Sequence, residues 1–130
     1  AVAGVTSVRD VYLTKGGAGY FHAVVQIQKM TEGDGKNAIM AAFAAHTSLK
    51  HVVVVDPDIN IYSPEDVEFA IATRVRADED VMIISGVRGS SLDPCRIGDG
   101  LNVKAGVDAT IPLGFEDEFI RADWQNNKEE

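Results

Sequence analysis

Hydrophobic and polar positions alternate, cluster and break along this chain in a way that fixes an element order. Val5 to Leu13 is rich in β-branched residues and predicts a strand. Lys15-Gly16-Gly17-Ala18-Gly19 then predicts a turn. From Tyr20 to Lys29, Phe21, Ala23, Val25 and Ile27 fall on one side and His22, Gln26 and Gln28 on the other. Period two with one polar face predicts a half-buried antiparallel strand, so the two segments form a hairpin.

Gly33-Asp34-Gly35 interrupts the pattern, and Lys36 to Ala45 predicts a helix with a wide apolar face carrying Ile39, Met40, Ala42 and Phe43. Its alanines let it lie close to a sheet. His51 to Asp56 contains the unbroken run Val52-Val53-Val54-Val55, which belongs in a strand covered on both faces. Ser63 is placed to cap the next helix, with Pro64 at its first position and Glu65 and Asp66 at the positive end of its dipole. Val67, Ala70, Ile71 and Val75 carry the helical period onward. Asp80 to Ile84 predicts a third strand of the buried type. The glycine-rich stretch Gly86 to Gly100 reads as a long loop, Ala105 to Thr110 as a short return to the sheet, and Phe115 to Trp124 as a terminal helix. The alternation of strands and helices implies an α/β fold: a layered α/β/α domain with a mixed, mainly parallel sheet and an N-terminal hairpin. The boundaries are residues 1–114 for that domain and 115–130 for an acidic tail.

Composition narrows the classes of partner. The 130 residues fit one domain, and a 45% hydrophobic content supplies one core. The net charge of −8 argues against nucleic acid and against an anionic membrane surface, both of which need clustered Lys and Arg. No apolar run approaches the roughly 20 residues of a membrane helix, and the opening residues lack a charged-then-apolar leader pattern. A single cysteine, Cys95, forms no internal disulfide, which suits a reducing, cytoplasmic setting.

Four groups of residues invite chemistry, and each has a plainer explanation. Gly16-Gly17-Ala18-Gly19 is followed by strand-like residues, so it is a hairpin turn rather than a phosphate loop. Asp56 and Asp58 end the valine strand, where carboxylates can hold magnesium, but Asp-Pro-Asp is also ordinary turn composition. His22, His46 and His51 have no zinc-like spacing and read as structural. Ser90-Ser91-Leu92-Asp93-Pro94-Cys95 has no nucleophile elbow, and nothing around Cys95 marks it as activated. The expectation is that this chain holds no catalytic residue, no cofactor ligand and no metal ligand.

Several segments together resemble a known family. Lys50-His51-Val52-Val53-Val54-Val55-Asp56-Pro57-Asp58-Ile59-Asn60-Ile61-Tyr62 runs without a gap into Pro64-Glu65-Asp66-Val67 and on to Ala72-Thr73-Arg74-Val75. Gly89-Ser90-Ser91-Leu92-Asp93-Pro94 and Lys104-Ala105-Gly106-Val107-Asp108-Ala109-Thr110 follow in order, with Tyr20 to Val25 and Lys36 to Ala42 upstream. In type and spacing these resemble the carboxy-terminal domain of UbiD-type decarboxylases, from about Val5 to Gly114. Ala77-Asp78-Glu79-Asp80 and Cys95 depart from the family pattern.

The resemblance implies a carboxy-lyase for an aromatic or α,β-unsaturated acid. It also implies that prenylated FMN, its metal ions and the catalytic Glu-Arg-Glu set lie on a separate flavin domain. This domain would pack against that one, close over substrate and contribute to homo-oligomer contacts. Ile84, Ser85, Gly86, Val87 and Arg88 are the expected pocket lining, and Phe115, Phe119 and Trp124 the expected interface. Two other readings stand beside it: a non-catalytic assembly module using Phe115, Phe119 and Trp124, and a small nucleotide- or phosphate-binding protein using Asp56 and Asp58.

Overall fold

The computed structural model describes residues 8–98 and 100–119. Strands β1 (Val8–Leu13), β2 (His22–Ile27), β3 (His51–Val55), β4 (Val81–Arg88) and β5 (Leu101–Ala109) form one sheet in the order β1-β2-β3-β5-β4. The inner strands β2, β3 and β5 run parallel, and β1 and β4 pair antiparallel on the two outer edges. Helix α1 (Asp34–Ala45) links β2 to β3, and helices α2 (Pro64–Arg74) and α3 (Ala77–Asp80) link β3 to β4.

The valine run decides where the core sits. Successive strand residues point to opposite faces, so Val52 and Val54 pack under α1 with Ala23, Val25, Ile27, Ile39, Phe43 and Leu49. Val53 and Val55 pack on the other face with Val24, Ile59, Ile61, Val67 and Ala70, beneath α2. All four valines are buried, each worth about 1.5–3 kcal/mol when removed from water. Helix α2 starts as its sequence predicts, with Ser63 Oγ accepting the Asp66 N–H at 3.2 Å. Helix α1 starts two residues earlier than expected. Asp34 accepts hydrogen bonds from the Met30 and Thr31 backbone N–H groups and from the Thr31 hydroxyl, which pins the turn in front of it.

Three expectations need correction. Strand β2 is buried on both faces, with Ala23, Val24 and Val25 all enclosed, because it is an inner strand flanked by β1 and β3. Strand β4 is an edge strand whose side chains alternate between half-buried and exposed, and Ile83 is 67% exposed. Its apolar run resembles a buried strand, but only the face carrying Met82 and Ile84 meets the core. The short return to the sheet is instead the nine-residue β5, seated between β3 and β4. Asn102, Lys104 and Asp108 interrupt its apolar pattern while being buried themselves. Of the expected terminal helix, the described part is one 3₁₀ turn, Glu116–Phe119.

Candidate functional site

A hollow of about 410 Å³ opens at the amino ends of the inner parallel strands, lined by Thr14, Gly16, Gly17, Phe21, His22, Lys50 and His51. The register of the sheet builds it. His22 begins β2 and His51 begins β3, and the two are direct partners in the parallel ladder. Side chains in register on parallel strands share a face, and the two imidazole centres lie 5.8 Å apart. The Phe21 carbonyl accepts from both the Lys50 and His51 N–H groups, at 2.8 and 3.0 Å, which ties the hairpin end to the start of β3. The glycine turn is needed for close approach: a Cβ on Gly17 would stand 2.5 Å from the His22 Cβ.

Charge at this edge is organised around one ion pair. Lys50 Nζ donates to Asp93 Oδ1 at 3.1 Å, and the Cys95 N–H donates to the same oxygen at 2.8 Å. Asp93 is 1% exposed. Burial works against its charge, but the bonds from Cys95 N–H and Lys50 outweigh it and hold the carboxyl below its ordinary value. Asp93 Oδ2 is buried without a hydrogen-bond partner among the described residues. Burial lowers the pKa of His22, with His51 adding to the effect. His51 is lowered by burial and by Lys50, with Asp93 opposing. Both imidazoles are therefore shifted toward their neutral forms.

The same end of the sheet receives the finish of β4. Val87 and Arg88 pair with Asn102 and Leu101 at the start of β5, beyond the level at which His51 meets Ala105. The register slips between Ile84 and Val87, where Gly86 adopts a left-handed φ of 68°. This bulge bends the strand end. Ile84 and Val87 are half-buried, and Ser85, Gly86 and Arg88 are exposed. The loop that follows carries Asp93 back to Lys50.

The opposite sheet end is a structural ion cluster. Arg74, almost fully buried, donates from Nη1 to Asp56 Oδ2 at 3.0 Å and to Asp58 Oδ1 at 2.9 Å, and from Nη2 to Asp58 Oδ2 at 2.7 Å. The Ile111 N–H donates to Asp56 Oδ2 at 2.9 Å. Burial nonetheless pushes the Asp56 carboxyl up. Both acids are thus spoken for by a guanidinium, and among the described residues no group of three His, Cys, Asp or Glu could hold a metal ion.

His46 is exposed and is not among the residues lining the hollow; its N–H closes α1 on the Ala42 carbonyl. Cys95 is a free, exposed thiol. Phe115 is exposed and Phe119 half-buried, while Trp124 lies outside the described residues.

Sequence reasoning missed two partnerships, Lys50 with Asp93 and Arg74 with the aspartates. The second had a signal: Arg74 continues the Val67, Ala70 stripe of α2, and a charge on a buried stripe demands a partner. The first joins residues 43 positions apart through a loop, and no local pattern encodes it.

Comparison with known proteins assigns the family. Residues 1–109 match the 3-octaprenyl-4-hydroxybenzoate carboxy-lyase C-terminal domain. Anhydromevalonate phosphate decarboxylase of Methanosarcina mazei is 66% identical over 94% of this chain, and gallate decarboxylase of Lactiplantibacillus plantarum is 34% identical over 91% of it. The chain spans 29% and 28% of those two relatives. The UbiD-class enzyme HmfF from Pelotomaculum thermopropionicum, solved in complex with FMN, superposes with a TM-score of 0.86 at 49% identity, covering 91% of this chain and 26% of that one. With its fold, its ordered motifs and the family match in agreement over nearly its whole length, this chain belongs to the UbiD family of carboxy-lyases as the family's C-terminal domain.

Proposed function

We propose that this chain forms one wall of the substrate pocket in a cytoplasmic prenylated-flavin decarboxylase whose chemistry resides on a separate flavin domain. The observation that carries this reading is the open amino edge of the parallel sheet. The hollow and the bulged end of β4 lie at the same end of the sheet. A wall needs a rigid frame and a few placed polar groups, not proton-transfer machinery of its own. Ile84, Ser85, Gly86, Val87 and Arg88, at the same end of the sheet, form the rest of that wall.

The described residues do not fit the flavin's metal. They hold no group of three His, Cys, Asp or Glu that could ligate a metal ion. The chain's contribution is to position the acid and to exclude water, which strengthens the charge interactions that the flavin domain makes. Phe115, Phe119 and Trp124 serve assembly contacts, with a second copy or with the flavin domain.

Five archaeal relatives support a substrate class. Relatives from Methanosarcina mazei and four other archaea, 57–66% identical to this chain, are anhydromevalonate phosphate decarboxylases, which favours a phosphorylated, unsaturated acid over a free aromatic one. The test is reconstitution. The flavin domain loaded with prenylated FMN is assayed for carbon dioxide release with and without this chain. Release that requires both supports the proposal; release by the flavin domain alone at the same rate refutes it.

A further inference from the structure

The hollow at the amino edge has a donor chemistry that the wall function alone does not require. Four polar side chains reach it: Lys50, His22, His51 and Thr14. Thr14 Oγ1 accepts the Gly17 N–H at 3.2 Å, which leaves the hydroxyl proton to donate elsewhere. The one carboxylate near them, Asp93, is buried behind Lys50 and is occupied by the ammonium and the Cys95 N–H. The surface offered to a ligand is therefore rich in donors and free of competing carboxylate. Lys15, between the lining residues Thr14 and Gly16, is exposed in the same turn.

We infer that this hollow is the subsite for the phosphate of a phosphorylated unsaturated acid, with Lys50, His22, His51 and Thr14 as its donors. The inference rests on the decarboxylase reading above and deepens it by naming what this wall recognises. A phosphate monoester carries nearly two charges and strong acceptor oxygens, and it is satisfied by several donors at once. Its volume fits within about 410 Å³ with room for a short carbon chain leading out.

The electrostatics also suit an anion that arrives with its own charge. Without ligand, Lys50 is paired with Asp93 and both imidazoles are shifted toward their neutral forms, so the hollow itself holds no unpaired cation. A dianion seated between the two rings favours their protonated forms and turns them into cationic donors. Asp93 acts here as a positioning residue, since it touches Lys50 and not the ligand.

Two arms test this, and they separate free phosphate from the substrate's own. In the first, inorganic phosphate is titrated into the chain while imidazole nitrogens are followed by NMR. His22 and His51 should shift together along one saturation curve, with their titration midpoints raised, while His46 stays still. Equal movement of all three, or none up to tens of millimolar, overturns the subsite. In the second, the full enzyme is assayed with a phosphorylated acid and with its unphosphorylated counterpart. His51→Gln and Thr14→Val should raise KM for the phosphorylated acid about tenfold more than for the other, with kcat changed less, since each loses a charge-assisted bond. Equal KM changes for the two acids overturn the inference. If the wild-type enzyme decarboxylates neither acid, the decarboxylase reading fails, and the NMR arm alone decides the phosphate site.

Discussion

Replacing Lys50 should damage the fold far more than replacing its partner, although the two form a single ion pair. The Asp93 side chain is 1% exposed and the Lys50 side chain 17%. Lys50→Met leaves a buried carboxylate with one remaining bond, from the Cys95 N–H, and with Oδ2 already unpartnered among the described residues. Orphaning a buried charge in this way costs about 3–5 kcal/mol. Asp93→Asn keeps a carbonyl oxygen for Cys95, and the freed ammonium can turn into the open hollow and hydrate. Only a charge-assisted bond is lost, about 1–2 kcal/mol. The double variant Lys50→Met/Asp93→Asn buries no charge and should recover at least about 1 kcal/mol relative to the sum of the singles.

Urea unfolding followed by circular dichroism reads all four proteins. With a slope of about 1.5–2 kcal/mol per M, Lys50→Met should lower the midpoint by about 2 M and Asp93→Asn by less than about 1 M. Equal losses from the two single variants, or strict additivity in the double, would refute the argument that the burden lies on Asp93.

Other outcomes follow from the same geometry. Arg74→Met removes the cation between Asp56 and Asp58, and unfolding in urea should show a loss of about 3 kcal/mol; adding Asp56→Asn should restore part of it, whereas Asp58→Asn should restore less because Asp58 is far more exposed. A Cβ at Gly106 would overlap the Ile39 side chain, so Gly106→Ala should cost about 1–3 kcal/mol by overpacking, and Ile39→Ala in the same chain should relieve some of that loss in a thermal melt. Asp34, held low chiefly by the Thr31 N–H and also by the Met30 N–H, and Asp93, held low by Cys95 and Lys50 against its burial, contribute stability in full above the ordinary carboxylate range. That stability is lost as pH falls through their depressed folded values. Asp56, raised by burial, has the opposite sign: its contribution weakens as pH rises through its folded value. Asp34→Asn should therefore flatten the acid limb of the stability curve, and an unchanged limb would contradict the assignment.

What could be read from the sequence was whatever local chemistry decides. The valine run gives its strand because no other element buries four adjacent β-branched residues, and Ser63-Pro64 gives the start of α2 because capping is a short-range event. The hairpin followed from glycine turn chemistry. An apolar pentapeptide looks alike at the centre and the edge of a sheet, so the edge position of β4 depends on where β5 inserts and is not encoded locally. Strand β5 was under-read because Asn102 and Lys104 sit in it as buried polar residues, Lys104 donating to the Leu49 and Thr47 carbonyls over the ring of Phe43. The hollow was invisible for the same reason. His22 and His51 are 29 positions apart in sequence, and only the parallel register of β2 and β3 brings their rings together. The family resemblance implies a pocket wall at residues 84–88; Lys50 begins the family run without a role of its own, and nothing in the sequence points to Thr14.

Hydrogen–deuterium exchange on this chain, alone and then assembled with a flavin domain carrying prenylated FMN, tests most directly whether the amino edge of the sheet is the surface that faces the chemistry. Backbone amides from Thr14 to His22 and from Ile84 to Arg96 should slow on assembly, and those from Asp56 to Tyr62 should change little. Protection confined to the Asp56 to Tyr62 end, with the amino edge exchanging as fast as before, would contradict the account.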